Sequence, residues 1–137
     1  MEDKRVIDSL LTTAKESIAS ESYYSAFAIL LMIPEIVNKN AGKEEYIRWC
    51  DNNIKVIDGF DGEVLYKFKQ ELFFGINKGN AYTSKNIKIY PAKNDTVRFL
   101  FDTRDSNRNW VTYATDINKF FDNMITCIQY SFKLVAA

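Results

Sequence analysis

Histidine is absent from this sequence of 137 residues. Its absence removes the side chain that most often moves protons near neutral pH, and with it the Ser-His-Asp and Cys-His nucleophilic arrangements. Cysteine is nearly absent: Cys50 and Cys127 stand far apart, each in an apolar stretch. Two isolated thiols without histidine do not make a zinc site; they predict buried free thiols rather than a disulfide. Proline occurs twice and glycine five times, so few breakers interrupt the chain, which favours helices with short connections. Neither of the glycine-rich phosphate-binding patterns is present. An excess of either charge is also missing, because eighteen basic residues face eighteen acidic ones. The strongly basic balance of many nucleic-acid binders is therefore lacking, and weak long-range repulsion permits self-association. The most apolar stretch, residues 23–33, is shorter than the ~20 residues that cross a bilayer, and residues 1–20 lack the apolar core of a signal peptide. These absences predict a cytoplasmic protein with no membrane partner, no metal and no cofactor.

What is abundant is aromatic. Ten Phe and eight Tyr contribute to a hydrophobic share of 47%, which predicts a packed core in one domain. A first helix is expected over about residues 3–19, with Val6, Leu10, Leu11, Ala14 and Ile18 on its apolar face. A second, from about residue 20 to 38, is apolar nearly all round and belongs at the centre of a bundle. Pro34 predicts a kink or break in it. A third helix over about 43–57 carries Tyr46, Ile47, Cys50, Ile54 and Ile57, widened by Trp49. The turn at residues 58–62 leads to a fourth helix over about 61–74, capped by Asp61 and ended by Gly75. Asp58, Asp61 and Glu63 read as turn and cap residues rather than a metal cluster.

The period then changes. Residues 86–90, 96–101 and 110–114 read as three short strands, with Pro91, Asp95 and residues 103–109 supplying stops and turns. A last helix begins near Thr115 or Asp116 and carries Ile117, Phe120, Phe121, Met124, Ile125, Ile128 and Phe132. The fold expected is mainly α. It is an up-down bundle of about five helices, with a three-stranded antiparallel meander at about 85–114 before the last helix.

The fourth helix holds the segment with most chemical content, Tyr66-Lys67-Phe68-Lys69-Gln70-Glu71-Leu72-Phe73-Phe74. It resembles the motif of the HEPN (higher eukaryote and prokaryote nucleotide-binding) domain, in which a tyrosine precedes an arginine, a polar residue and, at the helix end, a histidine. Tyr66 and Leu72 match that pattern. Lys69 stands for the arginine, Gln70 for the polar residue and Phe74 for the histidine. The order of apolar helices, strand region and final Phe-rich helix resembles the same family over most of the chain. The resemblance implies the bundle fold and a ribonuclease ancestry. In such enzymes the histidine moves a proton at the ribose or leaving oxygen, and the arginine stabilises the phosphate. A positioned acid–base contributes ~10²–10⁴-fold in rate. Phe cannot move a proton, and Lys lacks the bidentate fork of guanidinium.

The expectation is thus an inactive HEPN-like protein that acts by binding, in a bacterial defence, toxin–antitoxin or mobile-element setting. The partners implied are a protein, a second copy of the chain, or RNA or a nucleotide. Two alternatives stand beside it. One is an interaction or inhibitor protein of a defence enzyme, encoded by a phage or mobile element. The other is an active metal-independent ribonuclease built on Lys69. Nucleic-acid contacts, if made, are expected from Lys69 and from the strand region. There Lys88, Arg98, Arg104, Arg108 and Trp110, with Tyr82, Lys85, Tyr90 and Lys93, interleave charge and aromatics, partly offset by Asp95, Asp102 and Asp105. The competing reading of that region is a solvated sheet face with turn arginines.

Overall fold

The structure, a computed structural model, describes residues 2–77, 87–91, 97–104 and 107–136, without the side chains of 2–3, 74–77, 91 and 132–136. The elements run α1 (Glu2–Ala19), α2 (Tyr23–Val37), α3 (Lys43–Asp58), α4 (Gly62–Asn77), β1 (Ile87–Pro91), β2 (Val97–Arg104), β3 (Trp110–Asp116) and α5 (Ile117–Ala136). The fold is mainly α, with a three-stranded antiparallel sheet of order β1-β2-β3 before the last helix, as expected. Among the described residues no helix is long and apolar enough to cross a membrane.

The apolar α2 lies at the centre and packs on α1, α3, α4 and α5. Ala26, Phe27, Leu30, Leu31 and Ile33 are buried along it. Tyr46 of α3 is also buried, and its hydroxyl donates to the Leu31 carbonyl at 2.8 Å, which satisfies a polar group that burial would otherwise penalise. Phe27 ties the bundle to the sheet. Its ring centroid lies 4.7 Å from that of Phe99, 5.4 Å from Phe68 and 5.7 Å from Phe120. Fully burying each such ring contributes about 1.5–3 kcal/mol.

Side-chain hydrogen bonds set two helix starts. Asp61 accepts from the Glu63 amide at 2.7 Å, the cap expected of it. Asp116 Oδ1 accepts from the amides of Asn118 and Lys119 at 2.9 and 3.0 Å. Gly62 marks the closest approach of two helices. A Cβ there would lie 2.3 Å from the Ile47 carbonyl oxygen, so only glycine lets α4 begin against α3. The Gly62 amide donates to Asp51 Oδ1 at 2.7 Å.

The structure differs from expectation at several points. α2 does not break at Pro34 but stays helical to Val37. The lost amide costs one hydrogen bond in the last turn, where Ile33 and Pro34 are buried. α4 does not end at Gly75 but runs to Asn77, because an interior glycine weakens a helix by only about 1 kcal/mol. On α1 the buried line is Ile7 and Ala14, two turns apart, while Val6 is 47% exposed. On α3 Ile57 is 41% exposed. The strands extend past their expected ends, β2 to Arg104 and β3 to Asp116. Tyr82, Lys85, Lys93, Asp95 and Asp105, and the side chains of Phe74 and Phe132, lie outside the described residues.

Candidate functional site

Helical spacing splits the motif of α4 between two surroundings. Lys69 points inward. It is 7% exposed, it pairs with Glu35 of α2, and its Nζ sits 4.9 Å from the ring centroids of both Tyr46 and Tyr66. Burial lowers its pKa despite the ion pair, as desolvation disfavours the charged form. A solvated or snorkelling lysine is therefore not what this position holds. Its cation is committed to Glu35 and two aromatic faces.

Gln70 faces the other way, and its amide donates to the hydroxyl of Tyr66, one turn back, at 3.3 Å. Both line a cleft of about 660 Å³ between α4 and the end of the sheet. Lys67, Glu71 and Phe73 complete the helical wall. Asp102, Thr103, Arg104 and Trp110 form the sheet side, and Lys43 reaches in from α3. A volume of this size is typical of small-molecule sites. Lys67 Nζ donates to the Arg104 carbonyl at 3.0 Å and lies 3.8 Å from Glu63, which fixes α4 to the end of β2. Lys43 Nζ sits 5.3 Å from the Tyr66 ring centroid.

At the lip of the cleft Arg104 stacks on Trp110, its guanidinium carbon 4.8 Å from the indole centroid. The two are directly opposed in the β2–β3 register, which brings side chains onto one face. Trp110 is 63% exposed. A stacked guanidinium keeps its in-plane N–H groups available to phosphate or carboxylate.

Of the sequence candidates, Tyr66, Gln70, Arg104 and Trp110 thus meet at one cleft. Lys69 does not line it, and the side chain of Phe74 is not described. Lys88 and Arg98 are exposed on β1 and β2, and Arg108 is exposed in the β2–β3 connection with a left-handed φ of 64°. The reading missed Lys43, Lys67 and Thr103. Lys67 adjoins the motif and carried a findable signal; Lys43 and Thr103 join only through tertiary packing.

The thiols offer no nucleophile. Burial pushes Cys127 up to about 11 and Cys50 higher still, so thiolate is scarce at neutral pH. Among the described residues no cluster of Cys, Asp or Glu could hold a metal ion. The cleft offers cations, aromatic faces and amide and hydroxyl groups beside the carboxylates of Glu71 and Asp102, a mixed polar set suited to holding a ligand. Comparison of the chain with known family models, with curated proteins and with solved structures finds no match.

Proposed function

We propose that this is a catalytically inactive HEPN-like protein that acts by binding RNA or a nucleotide in the cleft between α4 and the sheet. The observation that carries the reading is the Arg104–Trp110 stack at the mouth of a cleft lined by Tyr66, Gln70 and Lys67. An exposed indole takes a base, and Arg104 and Lys43 offer their cations to the phosphate and ribose. Loss of catalysis is supported by the absence of histidine and by the commitment of Lys69 to Glu35. On this reading the protein works in the cytoplasm, in a bacterial defence, toxin–antitoxin or mobile-element setting, alone or as a pair.

The test mixes pure protein with labelled RNA and follows binding and strand integrity together. Binding with intact RNA is expected, and Trp110→Ala should weaken it about 5- to 100-fold, the range of one base–aromatic stack. Cleavage that disappears in a folded Lys69→Met variant would sink the inactive reading. Absence of RNA and nucleotide binding would sink the cleft assignment.

A further inference from the structure

The register of the sheet gathers more than the cleft uses. Residues directly opposed across antiparallel strands share a face. Tyr90 faces Arg98, Lys88 faces Leu100, and Arg104 faces Trp110. All of these occupy the even positions of their strands, which point away from the core, while Val97, Phe99 and Phe101 point into it. The outer face therefore carries three cations, Lys88, Arg98 and Arg104, and two exposed aromatics, Tyr90 at 48% and Trp110 at 63%.

The face also carries two acids, each holding hydrogen bonds of the fold. Asp116, opposite Arg98, gives Oδ1 to the start of α5 and accepts the Val97 amide on Oδ2 at 3.0 Å. Asp102 accepts the Thr112 hydroxyl at 2.6 Å. Among the described residues the face thus sets the three cations Lys88, Arg98 and Arg104 and two exposed aromatics against two carboxylates that already hold hydrogen bonds of the fold.

We infer that this outer face is a track for single-stranded nucleic acid, continuous with the cleft at Arg104 and Trp110 and ending at Tyr90. It rests on the cleft reading only in sharing that lip. The two aromatics stand at opposite corners. Arg98 and Arg104 are six positions apart on β2, about 20 Å at ~3.3 Å per residue, and the step from β1 to β3 adds two strand spacings of ~4.8 Å. The track is thus roughly 22 Å long, a span for several nucleotides, as for other sheet surfaces that stack bases on aromatics and follow the backbone with cations. A duplex, whose bases are already stacked, cannot use Tyr90 and Trp110 in this way. A basic groove alone would not discriminate.

The test is fluorescence anisotropy with labelled single strands of one, four and eight nucleotides, as RNA and as DNA, and an eight-base-pair duplex. Affinity should rise with length to about four nucleotides and then level, with the duplex weaker than the eight-nucleotide strand. Tyr90→Ala should weaken the longer strands about 5- to 100-fold and leave the mononucleotide unchanged. Trp110→Ala should weaken both. Binding by either sugar satisfies the proposal, and comparing the two says which the track accepts. No gain with length, equal binding of the duplex, or an unaltered Tyr90→Ala variant would overturn the track. A mononucleotide bound without gain from length overturns the track and leaves the cleft reading standing. Length-dependent binding lost in Tyr90→Ala but indifferent to Gln70→Ala does the reverse.

Discussion

Two clusters in this protein are built from the same parts and do opposite things. In one, Lys69 lies against Tyr46 and Tyr66, 7% exposed, with Glu35 as its counter-ion. In the other, Arg104 lies against Trp110, which is 63% exposed. A cation on an aromatic face is thus not a functional signature in itself. Burial commits the first to joining α2, α3 and α4, and exposure leaves the second open to a ligand. Tyr66 belongs to both, one side on Lys69 and the other toward the cleft, so α4 is the wall between them.

That comparison depends on α4 being seated where it is, and Gly62 seats it. The largest expected effect is Gly62→Ala, whose Cβ would meet the Ile47 carbonyl at 2.3 Å. Backbone cannot rotate away as a side chain can, so a loss of about 3 kcal/mol is expected, the upper range for overpacking. Urea denaturation measures it. A change below about 0.5 kcal/mol would mean that α3 and α4 are not in backbone contact, and the wall would lose its anchor.

Next comes Lys69→Met. Removing one partner of a fully buried pair costs about 3–5 kcal/mol, but Glu35 is 39% exposed, and its carboxylate can rehydrate. About 2 kcal/mol is expected. Adding Glu35→Gln should recover part of it, because the stranded charge goes. Full stability in Lys69→Met would erase the contrast between the clusters.

Asp58 is an intermediate case, half-buried and incompletely paired. One oxygen accepts from Asn123 of α5, and the buried Oδ2 has no hydrogen-bond partner among the described residues. Burial raises its pKa. Since the folded state holds this proton more tightly than the unfolded one, Asp58 contributes most below its unfolded pKa of about 3.9. The contribution is lost as pH rises through the raised folded value. Other carboxylates also titrate there, so the measurement is the stability of wild type minus that of Asp58→Asn across that window. The difference should fall as pH rises. A rising difference would show that Asp58 is stabilised as the anion.

Periodicity made much of this legible. The apolar α2 could only be central, and alternation at residues 86–90 could only be a strand with one buried face. The residues at both clusters were legible as types, but the motif pair Tyr66 and Gln70 and the strand-region pair Arg104 and Trp110 carried no signal that they meet at one cleft. What periodicity could not tell was the side on which Lys69 falls. Its place in the motif suggested the phosphate-facing side, yet α2 offers Glu35 from thirty-four positions away, a contact with no local signature. The same limit hid Lys43 and Thr103. Gly75 misled because glycine is a helix breaker only on average, while at Pro34 the helix continues without the break that was one of two expected outcomes.

The smallest expected effect is the sharpest test of the exposed cluster. Trp110→Ala should change stability by no more than about 0.5 kcal/mol, because an exposed ring buries little surface and a cross-strand pair adds only ~0.2–1 kcal/mol. Thermal melting at one protein concentration measures it. A single exposed aromatic is ordinary on a protein surface, so exposure by itself assigns the ring no role. A near-neutral stability change together with weakened RNA binding would therefore assign the ring to recognition. A loss above about 1.5 kcal/mol would make Trp110 a packing residue like Tyr46, and the two clusters would then differ only in depth.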